Sequence, residues 1–122
     1  MAMQSGSPIS QPREFLATVR AFKRAFRIVK PYVGYVPIYP AMLWSWVIGS
    51  DELDPTSFDE VTVRGRLEGL RSSLRVYSPS MHRAAFGLPR FVQSLLEWTE
   101  RDHSPGVAEL RAAGHPLPGV VA

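Results

Sequence analysis

Phe15, Val19, Phe22, Phe26 and Val29 recur at steps of four, three, four and three. That spacing puts apolar side chains on one face of an α-helix. Arg13, Arg20, Lys23, Arg24, Arg27 and Lys30 fall on the opposite side. Ser10 is placed to accept from a first-turn amide, Pro12 is tolerated where amides lack intrahelical partners, and Glu14 suits the positive end of the helix dipole. Arg27 and Lys30 stand near the C-terminal end and Pro31 stops it. The pattern predicts an amphipathic helix running to Lys30, preceded by a small, polar loop over residues 4–10.

The period then changes. "YVGYVPI" and "MLWSWVIGS" are rich in aromatic and branched residues and read as two strands joined across "YPA". Pro37 cannot donate to a ladder, so the first is expected at a sheet edge or bulged near its end. The second is apolar on both faces apart from Ser45, as in a strand buried between neighbours and covered on both sides. One helix and a two-stranded ribbon leave such a strand half bare. The pattern therefore calls for more sheet than these segments supply.

Gly49 to Pro55 reads as a polar loop, followed by a short helix from Thr56 or Ser57 and a second stretch around Val63 to Leu74. Ser78 followed by Pro79 is a helix start, with proline in its favoured first position, and Gly87 fits its end. Pro89 opens another helix with Phe91, Leu95 and Trp98 on one face and Val92 and Leu96 beside it. From Asp102 the chain is rich in proline and glycine, so residues 1–101 read as the folded part and residues 102–122 as a disordered tail, with a helical turn or two in "VAELRAA".

Composition narrows the chemistry. The 122 residues are 45% apolar and 20% charged, which fits one globular domain. There is no cysteine, which excludes disulfides, thiol catalysis and thiolate zinc sites and fits a reducing, cytoplasmic setting. His82, His103 and His115 share no metal-ligand spacing, so no metal is expected. No apolar run approaches the ~20 residues of a membrane span, and the N-terminus has no signal-peptide pattern. A net charge of +3 is mild. Without an aromatic or glycine-rich phosphate cradle, the basic helix face reads as a solvated surface in preference to a nucleic-acid stripe.

Three stretches resemble the C-terminal part of the spermidine synthases, the polyamine aminopropyltransferase family. "QSGSP" at Gln4 to Pro8 resembles the family's Gln-x-(Glu or Gly)-Ser-Pro turn. "VPIYPAMLWSWVIGS" is similar to its Pro-Thr-Tyr-Pro-Ser-Gly-x-Trp-Ser hairpin, and "YSPSMHRAAFGLPRFVQSLL" to its Tyr-x-x-x-x-His-Arg-Ala-Ala-Phe-x-Leu-Pro-x-Phe segment. Each alone is weak; three in collinear order, with "HRAAFGLP" nearly verbatim, are specific.

The resemblance implies an α/β chain, the C-terminal fragment of a Rossmann-like, methyltransferase-type domain: a helix, a β-hairpin and C-terminal helices. It implies transfer of an aminopropyl group from decarboxylated S-adenosylmethionine to putrescine or a related amine. Gln4 would hold the acceptor amine at the pocket's edge, Tyr39 would bring its hydroxyl near the attacking nitrogen, and Trp44 would wall the methylene chain. Trp46 and Tyr35 are expected as hairpin packing, and His82 in a packing or hydrogen-bonding role. The family's glycine-rich nucleotide loop and catalytic aspartates have no counterpart in these residues, so no cofactor is expected to bind and the chain is expected to be inactive alone. Asp51, Asp54 and Asp59 fall where no family motif places a catalytic acid. Gly6 stands where well-known members have glutamate, and Ala41-Met42 where they have Ser-Gly. The alternative expectation is a non-catalytic remnant that pairs with itself or with a full-length paralogue and regulates it, through a strand edge left unfilled.

Overall fold

β3 (Leu43–Ser50) is the middle strand of a three-stranded antiparallel sheet in the order β1-β3-β2. Its flanks are β1 (Ala2–Gly6) and β2 (Ile28–Tyr35). This is a computed structural model, and it describes residues 1–39, 43–70 and 74–99. The remaining elements are α1 (Pro12–Ala25), α2 (Glu60–Leu67) with a 3-10 turn over Glu68–Leu70, α3 (Pro79–Phe86) and α4 (Arg90–Thr99). The architecture is α/β.

The neighbour that β3 required is β1, where the sequence led us to expect a polar loop. Ala2, Ser5 and Gly6 have little strand preference of their own; pairing to an apolar central strand overrides that. Ala2 faces Ile48, Met3 faces Val47 and Gln4 faces Trp46, and an irregularity between Gln4 and Gly6 shifts the register. The Met1 ammonium adds a 2.9 Å bond to the Gly49 carbonyl.

α1 ends at Ala25, five residues before the expected stop. Phe26 is already extended (φ −133°, ψ 147°) and Ile28 begins β2. The apolar rhythm misled because Phe26 and Val29 do pack against the same core, from the turn and the strand. Ser10 is not the cap either: Gln11 takes that place without a side-chain bond, while the Ser7 hydroxyl accepts from the Ile9 and Ser10 amides at 3.2 and 3.3 Å. Pro31 lies within β2 opposite Val47. An edge strand tolerates proline there because an outward position needs no N–H. Pro37 falls beyond the strand end.

Phe15, Leu16, Val19 and Phe22 of α1 close over Val47 of β3 together with Val92 and Leu95 of α4. Burying each such side chain stabilises the fold by about 1.5–3 kcal/mol. Of the two α4 residues, Leu95 comes from the predicted apolar face and Val92 from the positions beside it. Ser78 caps α3, accepting from the Met81 amide at 3.1 Å, and Gly87 ends it. α2 starts at Glu60 rather than at Thr56 or Ser57. Asp54 instead draws the Thr56 amide into a local turn at 2.8 Å, and Asp59 caps the helix through the Thr62 amide at 2.7 Å. Such side-chain bonds to the backbone compete with helix. The expected disordered tail, residues 102–122, lies outside the described residues.

Candidate functional site

Side chains alternate across a strand. On β3, Ser45 and Val47 are buried on the face that meets α1, so Trp44 and Trp46 project from the other. The pairing register completes that second face. Tyr32 of β2 stands opposite Trp46, and their rings stack at 5.5 Å and 16°. Gly34 stands opposite Trp44, and a Cβ there would come within 2.9 Å of Trp46 Cζ3. The glycine thus gives the Trp46 ring room to lie across β2. Gln4, directly opposite Trp46 on β1, belongs to the same face and is exposed.

Tyr39 reaches Trp44 from the β2–β3 connection. Its amide donates to the Val36 carbonyl at 3.1 Å, closing a turn. Its ring centroid lies 4.3 Å from that of Trp44, tilted by 46°, and 36% of the residue is exposed. The Trp44 indole N–H is buried with no acceptor among the described residues. Leaving such a donor unpaired costs about 1–3 kcal/mol.

The structure therefore links the three candidate residues through one face: Gln4 opposite Trp46, Trp44 two positions along, Tyr39 against Trp44. Gln4 is held by a strand instead of a loop, and its position is pinned by its neighbours. Ser5 Oγ lies 2.8 Å from Ser45 Oγ, and Ser45 Oγ donates to the Gly6 carbonyl at 2.6 Å. Gly6 has φ +80°, a left-handed conformation that side-chain-bearing residues rarely adopt. A Cβ there would meet Gln11 Oε1 at 2.9 Å. Glycine in place of the family's glutamate is thus matched to its backbone. Ala41 and Met42 lie outside the described residues.

Tyr35, expected as hairpin packing, is 63% exposed at the end of β2. Trp46 packs as expected, but on the same face as the candidate residues. Sequence reasoning did not bring Tyr32, Phe86 and His82 to that face. Phe86 of α3 lies 5.4 Å from Tyr32, and His82 lies 5.3 Å from Phe86. The two-residue period of β3 pairs Trp44 with Trp46, but Tyr32 joins them only through the β2–β3 register.

The acids are engaged elsewhere. Asp51 accepts from the Arg27 amide at 3.0 Å, Asp59 caps α2, and Asp54 bonds the Thr56 hydroxyl at 2.6 Å and Lys30 at 3.2 Å. The Thr56 hydroxyl, opposed by burial and aided by the Thr56 amide and Lys30, holds the Asp54 carboxyl below the usual range. Burial, together with nearby Tyr77, pushes the Tyr32 phenol up; burial alone raises Tyr77. The helical basic stripe is broken, because Arg27 and Lys30 leave α1. Among the described residues no group of three His, Cys, Asp or Glu stands ready to hold a metal, and no helix is long and apolar enough to cross a membrane.

No family model matches the chain. It is 34% identical over 94 residues to a polyamine aminopropyltransferase of Caldicellulosiruptor saccharolyticus, covering 77% of this chain and 32% of that protein. It is 36% identical over 99 residues to one from Moorella thermoacetica, covering 81% and 33%. Among solved structures, spermidine synthase from Thermotoga maritima superposes with TM-score 0.69 at 28% identity, over 80% of this chain and 33% of that one. A spermidine synthase in complex with the transition state analogue AdoDATO gives 0.70 at 28%, over 80% and 32%. These likenesses agree with the expected Rossmann-like α/β class. The chain spans about a third of the length of the relatives it matches.

Proposed function

The chain is spermidine synthase-like over about a third of its relatives' length, and on that footing we propose that it supplies the acceptor-amine wall of an aminopropyltransferase site. The observation that carries the reading is the Tyr39–Trp44 ring pair, 4.3 Å apart, on the sheet face that also presents Gln4. Ring faces attract ammonium groups and flank methylene chains. The Tyr39 hydroxyl is the group assigned to orient the attacking nitrogen, and the Gln4 amide to hold the amine at the edge.

In the reaction, the lone pair of a neutral amine attacks the carbon bonded to sulfonium. A C–N bond forms, the C–S bond breaks, sulfur leaves as a neutral thioether, and the nitrogen gives up a proton. Positioning the nucleophile supplies much of the acceleration. Asp51, Asp54 and Asp59 are committed to structural bonds. The proton acceptor and the site for decarboxylated S-adenosylmethionine are therefore assigned to the two-thirds of the relatives' length outside the match, and this chain is assigned no transfer activity alone.

The test grafts residues 1–99 into the Moorella thermoacetica relative in place of the third it matches. Transfer of aminopropyl to putrescine should persist, and Tyr39→Phe in the graft should lower kcat about tenfold or more. A folded graft without transfer activity, or one indifferent to Tyr39, refutes the reading.

One observation favours a second reading, a regulatory partner of a full-length paralogue. Among the described residues β1 pairs on one side only, and Met1 and Met3 are exposed along it. Unpaired strand edges recruit strands. Co-expression with a full-length synthase should then yield a complex, and its absence at micromolar concentration ends this reading.

A further inference from the structure

The apolar core is built from α1, β3 and α4, and α3 buries no residue fully. What fixes α3 against β2 is therefore a small set of specific contacts, and His82 stands at their centre. Its Nε2 lies 2.7 Å from the Pro55 carbonyl, and its Nδ1 is hydrogen-bonded to the Tyr77 hydroxyl. A carbonyl can only accept, so Nε2 carries the ring proton. In the neutral ring Nδ1 then accepts, and Tyr77 donates. Burial of Tyr77 favours its protonated form and keeps that donor in place. One imidazole thus ties three segments together: the loop before α2, the segment leading into α3, and α3 itself.

The tie continues into the sheet through rings. Tyr77 meets His82 edge-on at 6.0 Å, His82 meets Phe86 at 5.3 Å, Phe86 meets Tyr32 at 5.4 Å, and Tyr32 stacks on Trp46 at 5.5 Å. Trp46 is two residues from Trp44 and directly opposite Gln4. We propose that His82 is a positioning residue for the amine-facing wall, latching α3 so that Phe86 and Tyr32 hold Trp46, and with it Trp44, in register. The purpose of the latch rests on the reading of that face given above; the latch itself does not.

The test uses the whole 122-residue chain. Long-range 1H–15N spectra at mildly alkaline pH should show His82 protonated on Nε2, and a ring protonated on Nδ1 overturns the latch. His82→Gln keeps a donor for Pro55 and loses the acceptor for Tyr77, while Tyr77→Phe deletes a single oxygen from a half-exposed ring and endangers the fold least. Both variants should shift the indole N–H signals of Trp46 and Trp44 and leave Trp98 unmoved, and the double variant should match His82→Gln, because the bond lost in Tyr77→Phe is already lost there. General loosening would move Trp98 as well. Stationary Trp46 and Trp44 signals in Tyr77→Phe, or shifts spread equally to Trp98, refute positioning. In the grafted enzyme Tyr77→Phe should raise KM for putrescine several-fold and leave KM for decarboxylated S-adenosylmethionine unchanged. Shifted indoles with an unchanged putrescine KM would keep the latch and remove the amine reading.

Discussion

Ser5 and Ser45 meet hydroxyl to hydroxyl at 2.8 Å in the interior of the sheet, and the direction of the bond is decided by a third group. Ser45 Oγ donates to the Gly6 carbonyl at 2.6 Å, so the proton between the serines comes from Ser5. Ser45→Ala strands both a hydroxyl and a carbonyl, and we expect a loss of about 1–3 kcal/mol. Ser5→Ala leaves only an unfilled acceptor and should cost less. Denaturant midpoints at constant slope give both values, and equal losses would contradict this bond direction.

Acid should act on the loop before α2. The Asp54 carboxyl is held below its usual range, by the Thr56 hydroxyl first. The native state therefore binds this proton more weakly than the unfolded chain. Its contribution is complete above the ordinary carboxylate value near ~3.9 and is lost as pH falls through the depressed one. Asp54→Asn should flatten the acid limb of stability against pH. Superimposable acid limbs for the two proteins would show that Asp54 plays no such part.

The two tryptophans of the aromatic face should respond differently to truncation. Trp46→Phe shrinks a ring stacked on Tyr32 and laid across Gly34. Trp44→Phe also loses packing, but it removes a buried N–H that has no acceptor among the described residues. The relieved penalty, about 1–3 kcal/mol, offsets the loss. Trp46→Phe should therefore be the more destabilising, by roughly 1–2 kcal/mol. Thermal unfolding of both variants checks the order, and a costlier Trp44→Phe would mean that its N–H is satisfied in solution.

The elements legible in the sequence are those whose ends are chemically marked. Ser78-Pro79, Gly87 and Pro89 delimit α3 and α4 where expected, because capping is local. α1 was legible in existence but not in extent. An extended turn can return Phe26 and Val29 to the core that the helix serves, and periodicity does not register the change of backbone. β1 was illegible because its stabilisation comes from β3, distant in sequence, and not from the strand preference of its own residues.

The candidate site divides the same way. Gln4, Tyr39 and Trp44 were found through motif resemblance, and alternation along β3 adds Trp46. Tyr32, Phe86 and His82 depend on strand register and on how α3 docks, and no single-segment pattern carries that information.

Pro31 in β2 has a consequence for growth of the sheet. A strand approaching from that side finds a gap in the row of amides, beside a lysine already paired with Asp54; both are features that blunt a sheet edge. β1 carries neither a proline nor a charged side chain along Ala2–Gly6. Among the described residues the sheet therefore has one blunted edge, β2, and one that carries neither device, β1, so any growth of the sheet is expected at β1.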